Sequence, residues 1–129
     1  MGDKKSEYEE ALEKLDADEQ ALAYIEGTNE STAGNGVLIA TSKRLVWYDK
    51  MIFGMKTFKT YDYADYEGIK QEHEVGEGEE IEFKPRAKGF MGMGSKSELE
   101  VEKVKSPADQ RRQFIEVCQQ KMAEAAPSD

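Results

Sequence analysis

One histidine, His73, and one cysteine, Cys118, stand in the whole chain, so the nitrogen and sulfur chemistry open to it is narrow. A zinc cage of several His and Cys ligands cannot be assembled within one copy, and no disulfide can close inside it. Without a recognisable nucleophile motif, an enzyme would have to work through carboxylates in a pocket that the sequence does not display. Carboxylates are abundant: Glu72, Glu74, Glu77, Glu79, Glu80 and Glu82 crowd around one turn. This block lacks the alternating Asp/Asn ligands and terminal Glu of a calcium loop. It reads as a solvated sheet face whose like charges discourage edge-to-edge aggregation. His73 lies between two of these acids and reads as a surface histidine, a protonation switch being the alternative. Cys118 shares an apolar helix face, which makes it a core residue rather than a nucleophile. No catalytic residue, cofactor or metal is expected.

Two glycine-containing stretches mix apolar and basic side chains. One is Lys50 to Lys56, with Met51, Ile52 and Phe53; the other is Lys84 to Gly94, with Arg86, Lys88, Phe90, Met91 and Met93. Both read as loops. If exposed together, their Met and Phe side chains form an adaptable patch of the kind used for protein partners; the alternative is that they fold back on the core. Met51, Ile52, Phe53, Arg86, Lys88, Phe90, Met91 and Met93 are thus the candidate partner-binding residues.

Charge argues against other ligands. The chain carries 18 Lys+Arg against 27 Asp+Glu, a net of -9, which opposes general binding to nucleic acid or anionic lipid. Lys84, Arg86 and Lys88 would supply about 1 kcal/mol each at an anionic surface, too little for stable anchoring. No stable membrane insertion and no nucleic acid is expected. Three bases beside one aromatic do not make a nucleic-acid groove. No apolar run approaches the roughly 18 residues of a membrane span, and Met1 to Ser6 leads into acidic sequence, so a soluble cytoplasmic protein is expected. The same net charge motivates a second function class, an acidic inhibitor or nucleic-acid mimic that occupies a basic partner.

The elements that would position these residues follow from periodicity. Tyr8, Ala11, Leu12 and Leu15 at i, i+3, i+4 and i+7 predict an amphipathic helix over Asp3 to Leu15, within an N-terminal segment 1–19. Strand character then begins at Ala21, and Ser31 to Gly36 supplies a turn. Val37 to Ala40 and Leu45 to Tyr48 read as two strands joined by the polar turn Thr41 to Arg44. Lys56 to Tyr61 reads as a fourth. Tyr61 to Tyr66 is expected as a packed turn with buried rings, leading into a strand from Ile69 to Val75. Glu80 to Lys84 and Ser97 to Val104 alternate polar with apolar residues. Ser106, Pro107 and Asp109 spell an N-cap, a first-turn proline and a first-turn acid. Phe114, Ile115, Cys118 and Met122 then share one helix face. The result is a mainly β (α+β) architecture: an antiparallel sandwich or partly open barrel of about seven strands capped by a C-terminal helix, with an extra N-terminal helix. It occupies residues 20–124, and 125–129 reads as a disordered tail.

The run Gly36-Val37-Leu38-Ile39-Ala40-Thr41-Ser42-Lys43-Arg44-Leu45-Val46-Trp47-Tyr48 resembles the strand, Thr-x-x-Arg turn and apolar strand of the bacterial pleckstrin-homology-like (PH-like) domains. Phe53-Gly54, Tyr61 to Asp65, Ile69 and the helix containing Phe114 follow in similar order, and the resemblance spans about Gln20 to Met122. It implies a noncatalytic bacterial or phage interaction module that binds protein. Some relatives form rings, which implies self-association as a homo-oligomer. Phosphoinositide binding is not carried over, because Ser31 to Gly36 contains no Lys or Arg. Independently of the family, Thr41 can bond to turn backbone through its hydroxyl and Arg44 can tie down a carbonyl or carboxylate, which is a structural task, ligand contact being the alternative.

Overall fold

Ser6 opens helix α1 (Glu7–Leu12): its hydroxyl accepts from the Glu9 amide at 3.2 Å while the Glu9 carboxylate accepts from the Ser6 amide at 3.1 Å. This reciprocal pair satisfies donors that a first helical turn leaves open. The chain is seen in a computed structural model that describes residues 6–30, 34–50, 54–74, 78–86 and 98–126. Its first helix is shorter than the apolar spacing predicts. Beyond Leu12 the chain turns, and Glu19 folds back: its amide donates to the Asp16 carbonyl at 3.0 Å and its carboxylate accepts from the Asp16 amide at 3.1 Å. These local bonds compete with helix over Asp16 to Glu19. Tyr8, Ala11 and Leu15 still reach the sheet, but Leu12 is exposed.

Seven strands follow: β1 (Ala21–Asn29), β2 (Gly34–Thr41), β3 (Leu45–Lys50), β4 (Lys56–Tyr61), β5 (Tyr66–Glu74), β6 (Gly78–Pro85) and β7 (Leu99–Val104). Helix α2 (Ala108–Ala125) closes the order, and a short 3-10 turn, Tyr63–Asp65, joins β4 to β5. The strands form one antiparallel sheet in the order β4-β3-β2-β1-β7-β6-β5. It remains open between β4 and β5, so each of these is an edge among the described residues. In β2 and β3 the register sets Val37 opposite Tyr48, Leu38 opposite Trp47 and Ile39 opposite Val46. Alternation then sends Leu38, Ala40, Leu45 and Trp47 into the main core and Val37, Ile39, Val46 and Tyr48 to the other face, under α1. Cover on both faces explains why these strands read as continuous apolar runs.

The main core draws on both halves of the sheet and on α2. The two halves meet where β1 pairs with β7 through Thr28↔Glu102 and Asn29↔Val101. Gly27 permits that approach, since a Cβ there would lie 2.6 Å from Val101 Cγ1 and 2.7 Å from the Glu102 carbonyl oxygen. Gly36 is tighter still: a Cβ would stand 2.1 Å from the Tyr48 carbonyl oxygen. Gly36→Ala is therefore expected to lower stability by about 1–3 kcal/mol, read by urea denaturation, because backbone must shift to admit one methyl.

Phe114, Ile115, Cys118 and Met122 are all buried, as their spacing predicts. Phe114 meets Phe83 edge-on at 6.2 Å between centroids, and Phe83 meets Tyr66 in the same way at 5.5 Å. The start of α2 differs from the sequence expectation. Pro107 is the N-cap, without a side-chain cap bond, and the Ser106 hydroxyl instead accepts from the Glu26 amide of β1 at 3.0 Å. Tertiary pairing has taken the hydroxyl that local sequence offers to the helix. At the other end α2 runs through Ala125, which packs against the core. No described helix is long and apolar enough to cross a membrane.

Candidate interaction surface

The β2–β3 turn is organised by one hydroxyl. Thr41 Oγ1 accepts from the Lys43 and Arg44 amides at 3.1 and 3.0 Å, and lies 2.5 Å from Glu19 Oε2, to which it donates. Arg44 grips the same carboxylate with both arms of its fork, Nε to Oε2 and Nη2 to Oε1, each at 2.9 Å. The Glu19 side chain is fully buried, whereas Arg44 remains 27% exposed. Burial alone would raise the Glu19 carboxyl, but Arg44, Thr41 and the Asp16 amide outweigh it and hold it at about 2. The residues with the most specific family spacing are thus a clamp that fastens the segment before β1 onto the β2–β3 turn. Sequence reading anticipates Thr41 and Arg44 but not their partner. Asp16, Asp18 and Glu19 look alike as a string, and only the fold selects which one is buried.

Of the candidate partner-binding residues, Arg86 is described; Met51, Ile52, Phe53, Lys88, Phe90, Met91 and Met93 lie outside the described residues. Arg86 donates through Nε to the Ala64 carbonyl at 3.0 Å and through Nη2 to the Tyr66 carbonyl at 2.8 Å. Its amide donates to the Asp65 carbonyl at 2.7 Å. The guanidinium therefore closes the 3-10 turn that leads into β5.

Among the exposed apolar side chains, two lie at β4 and one, Leu22, on β1. Phe58 is 37% exposed and Met55, just before the strand, 64%. Phe58 lies opposite Tyr48, on the face that α1 partly covers, with the Arg44 guanidinium 5.9 Å from its ring. The same strand carries Lys56 and Lys59 and no acid. Lys59 stands over the Tyr61 ring at 5.8 Å, and Lys56 is 3.6 Å from Glu10. An alternating strand predicts one wet face; nothing in its own pattern says that one of its edges is also open.

Acidic side chains gather at the opposite half. Carboxylate oxygens of Glu30, Glu100 and Glu102 all lie within 4.8 Å of one another, and among the described residues this is the set that offers oxygen ligands to a cation. A shallow groove of about 450 Å³ beside it is lined by Glu30, Glu82, Glu98 and Glu100 with Phe83 and Leu99. Burial, then Glu30 and Glu80, push the Glu100 carboxyl up to about 8. Burial and Glu30 raise Glu102 as well. The acidic block expected around a turn flanks the β5–β6 hairpin and adjoins this groove through Glu80 and Glu82: Glu72 pairs across the sheet with Glu80, and His73 Nδ1 meets Glu79 Oε1 at 2.9 Å on the surface. Cys118 is buried, and burial pushes its thiol well up.

A family model described as Bacterial PH domain matches residues 15–106. No curated protein and no solved structure matches the chain. The matched residues contain the Glu19–Thr41–Arg44 clamp and all seven strands, while α1 lies before them and α2 after. With the open seven-stranded antiparallel sheet and its C-terminal helix, this match places the chain in the bacterial PH domain family.

Proposed function

We propose that the chain is a noncatalytic cytoplasmic module that binds protein, its own copies included, through the β4 edge and through loops. PH-like domains are generally noncatalytic, which supports the first part. The observation that carries the second is the β4 edge: a strand paired on one side only, with Phe58 exposed on it, Met55 exposed just before it in sequence, and two lysines, of which Lys56 stands 3.6 Å from Glu10 and Lys59 lies over the Tyr61 ring. In a chain of net charge -9, a cationic apolar edge is complementary to the acidic surface of another copy. Met51, Ile52 and Phe53 lie just before Gly54 and Met55 in sequence and are proposed to add to the apolar character of this edge. Phe90, Met91 and Met93 are proposed as further contributors on their sequence alone.

Light scattering over a concentration series tests this. Wild type is expected to gain mass with concentration and Phe58→Asp to stay monomeric. Phe58 is 37% exposed, so the variant is expected to keep a cooperative melt, which circular dichroism checks before its mass is compared with wild type. A wild type that stays monomeric throughout, or a variant that associates equally well, overturns the self-association.

The carboxylates around Glu100 favour a second reading, in which the acidic groove occupies a basic partner. Polylysine serves as the probe. Binding that falls steeply with added salt and is lost in Glu100→Gln/Glu102→Gln supports this reading; an apolar edge contact persists in salt.

A further inference from the structure

Helix α1 lies outside the residues that the family model matches, yet it covers an apolar sheet face. Val37, Ile39, Val46 and Tyr48, on the side of β2 and β3 turned away from the main core, are each at most 1% exposed. Ala11 is buried against them, with Tyr8 and Leu15 beside it. The Tyr8 ring stacks on Tyr24 at 3.9 Å between centroids and 21° between planes. Glu10 supplies the polar anchor. Its carboxylate accepts from the Tyr48 hydroxyl at 3.2 Å, pairs with Lys50 and stands 3.6 Å from Lys56.

A helix of six residues does not hold itself together in water, so its docking maintains its form. Ala11 is its one buried residue. The face beneath is built differently: β2 and β3 are each paired on both sides and owe their shape to the sheet. A weak helix therefore covers a surface that persists without it. That surface is apolar at the centre and carries cations at its β3–β4 margin, where Lys50 and Lys56 meet Glu10.

We propose that the face of β2 and β3 under α1 is a docking site for an acidic amphipathic helix of a partner protein, and that α1 fills it in cis as a displaceable cover. The seated helix spells out the ligand: an aromatic to stack on Tyr24, a carboxylate two positions on for Tyr48, Lys50 and Lys56, and a small residue next to it where Ala11 sits. The proposal deepens the interaction-module reading and rests on it in taking a protein ligand, but its centre is the β2–β3 face, which adjoins the β4 edge and shares Lys56 with it.

The test uses the full chain carrying Glu10→Gln/Ala11→Asp, which removes the anchor and puts a charge under the helix. The fold should survive, with the near-UV signal of Trp47 retained. Trypsin should cut after Lys14 about tenfold faster, the opening of the segment no longer being opposed by docking. A fluorescein-labelled peptide of residues 1–19 should bind this variant at least about tenfold more tightly than wild type, whose site is filled. The same peptide carrying Glu10→Gln/Ala11→Asp should not bind. A folded variant with unchanged cleavage, or one that fails to take up the peptide, overturns the proposal. Loss of the near-UV signal in both this variant and Glu10→Gln alone also overturns it, by making α1 part of the fold. A monomeric wild type in light scattering would sink the β4-edge reading and leave the peptide result untouched.

Discussion

Arg44→Ala lowers the unfolding free energy by about 3–5 kcal/mol, the range for breaking a buried ion pair by removing one partner. The Glu19 side chain is fully buried, and Arg44 supplies both of the guanidinium bonds it receives. Removing the fork leaves the buried carboxylate with the Thr41 hydroxyl and the Asp16 amide and without the cation that balances its charge. Glu19→Gln/Arg44→Ala is expected to recover part of the loss, because a neutral amide costs less to bury than an unpaired charge. Urea denaturation of the two variants beside wild type checks both statements.

Acid supplies a second readout of the same clamp. Glu19 is held at about 2 against an ordinary 4.5, so between these values the unfolded chain binds the proton that the folded chain refuses. Its contribution is complete above about pH 4.5 and disappears as pH falls toward about 2. The gap between wild type and Arg44→Ala should therefore narrow across that interval. Glu100 acts in the opposite sense. Its carboxyl is pushed up to about 8, so the folded state takes the proton more readily, and stability rises as pH falls from about 8 toward 4.5. Taken together, these two groups favour the folded state most near pH 4.5, the ordinary carboxyl value at which their opposite limbs meet. Glu100→Gln should flatten the alkaline limb and leave the acid limb in place.

Phe114→Ala costs about 3–5 kcal/mol, as for other large aromatic truncations in a core. Phe114 is fully buried and lies edge-on to Phe83, which in turn meets Tyr66, so the loss extends across α2, β6 and β5. Phe114→Asp puts a charge at the same place and is expected to abolish the cooperative transition altogether. Thermal denaturation followed by circular dichroism separates the two. If Phe114→Asp melted like wild type, α2 could not be the element that covers the sheet.

Where a residue's environment follows from its own neighbours in sequence, the fold was legible. Lys56 to Tyr61 alternates and forms a strand with those bounds, and Phe114, Ile115, Cys118 and Met122 share a helix face and are buried together. Thr41 and Arg44 make the turn bonds that their side-chain chemistry allows. Long-range choices were not legible. Ser106 looks like a helix cap, yet its hydroxyl is taken by Glu26, 80 residues away. Glu19 looks like its acidic neighbours until Arg44, 25 residues on, selects it. The candidate site suffered most from this, because an open edge is a property of strand order. Phe58 became visible as an exposed aromatic only when β4 was found at the end of the sheet.

The most direct measurement is amide hydrogen exchange on the full chain at low and at high concentration. Protein contact through the β4 edge predicts that exchange slows with concentration at Lys56 to Tyr61, and that Phe58→Asp abolishes this protection. Exchange along that strand that is unchanged at the highest concentration, or protection appearing instead around Glu30, Glu100 and Glu102, would contradict it.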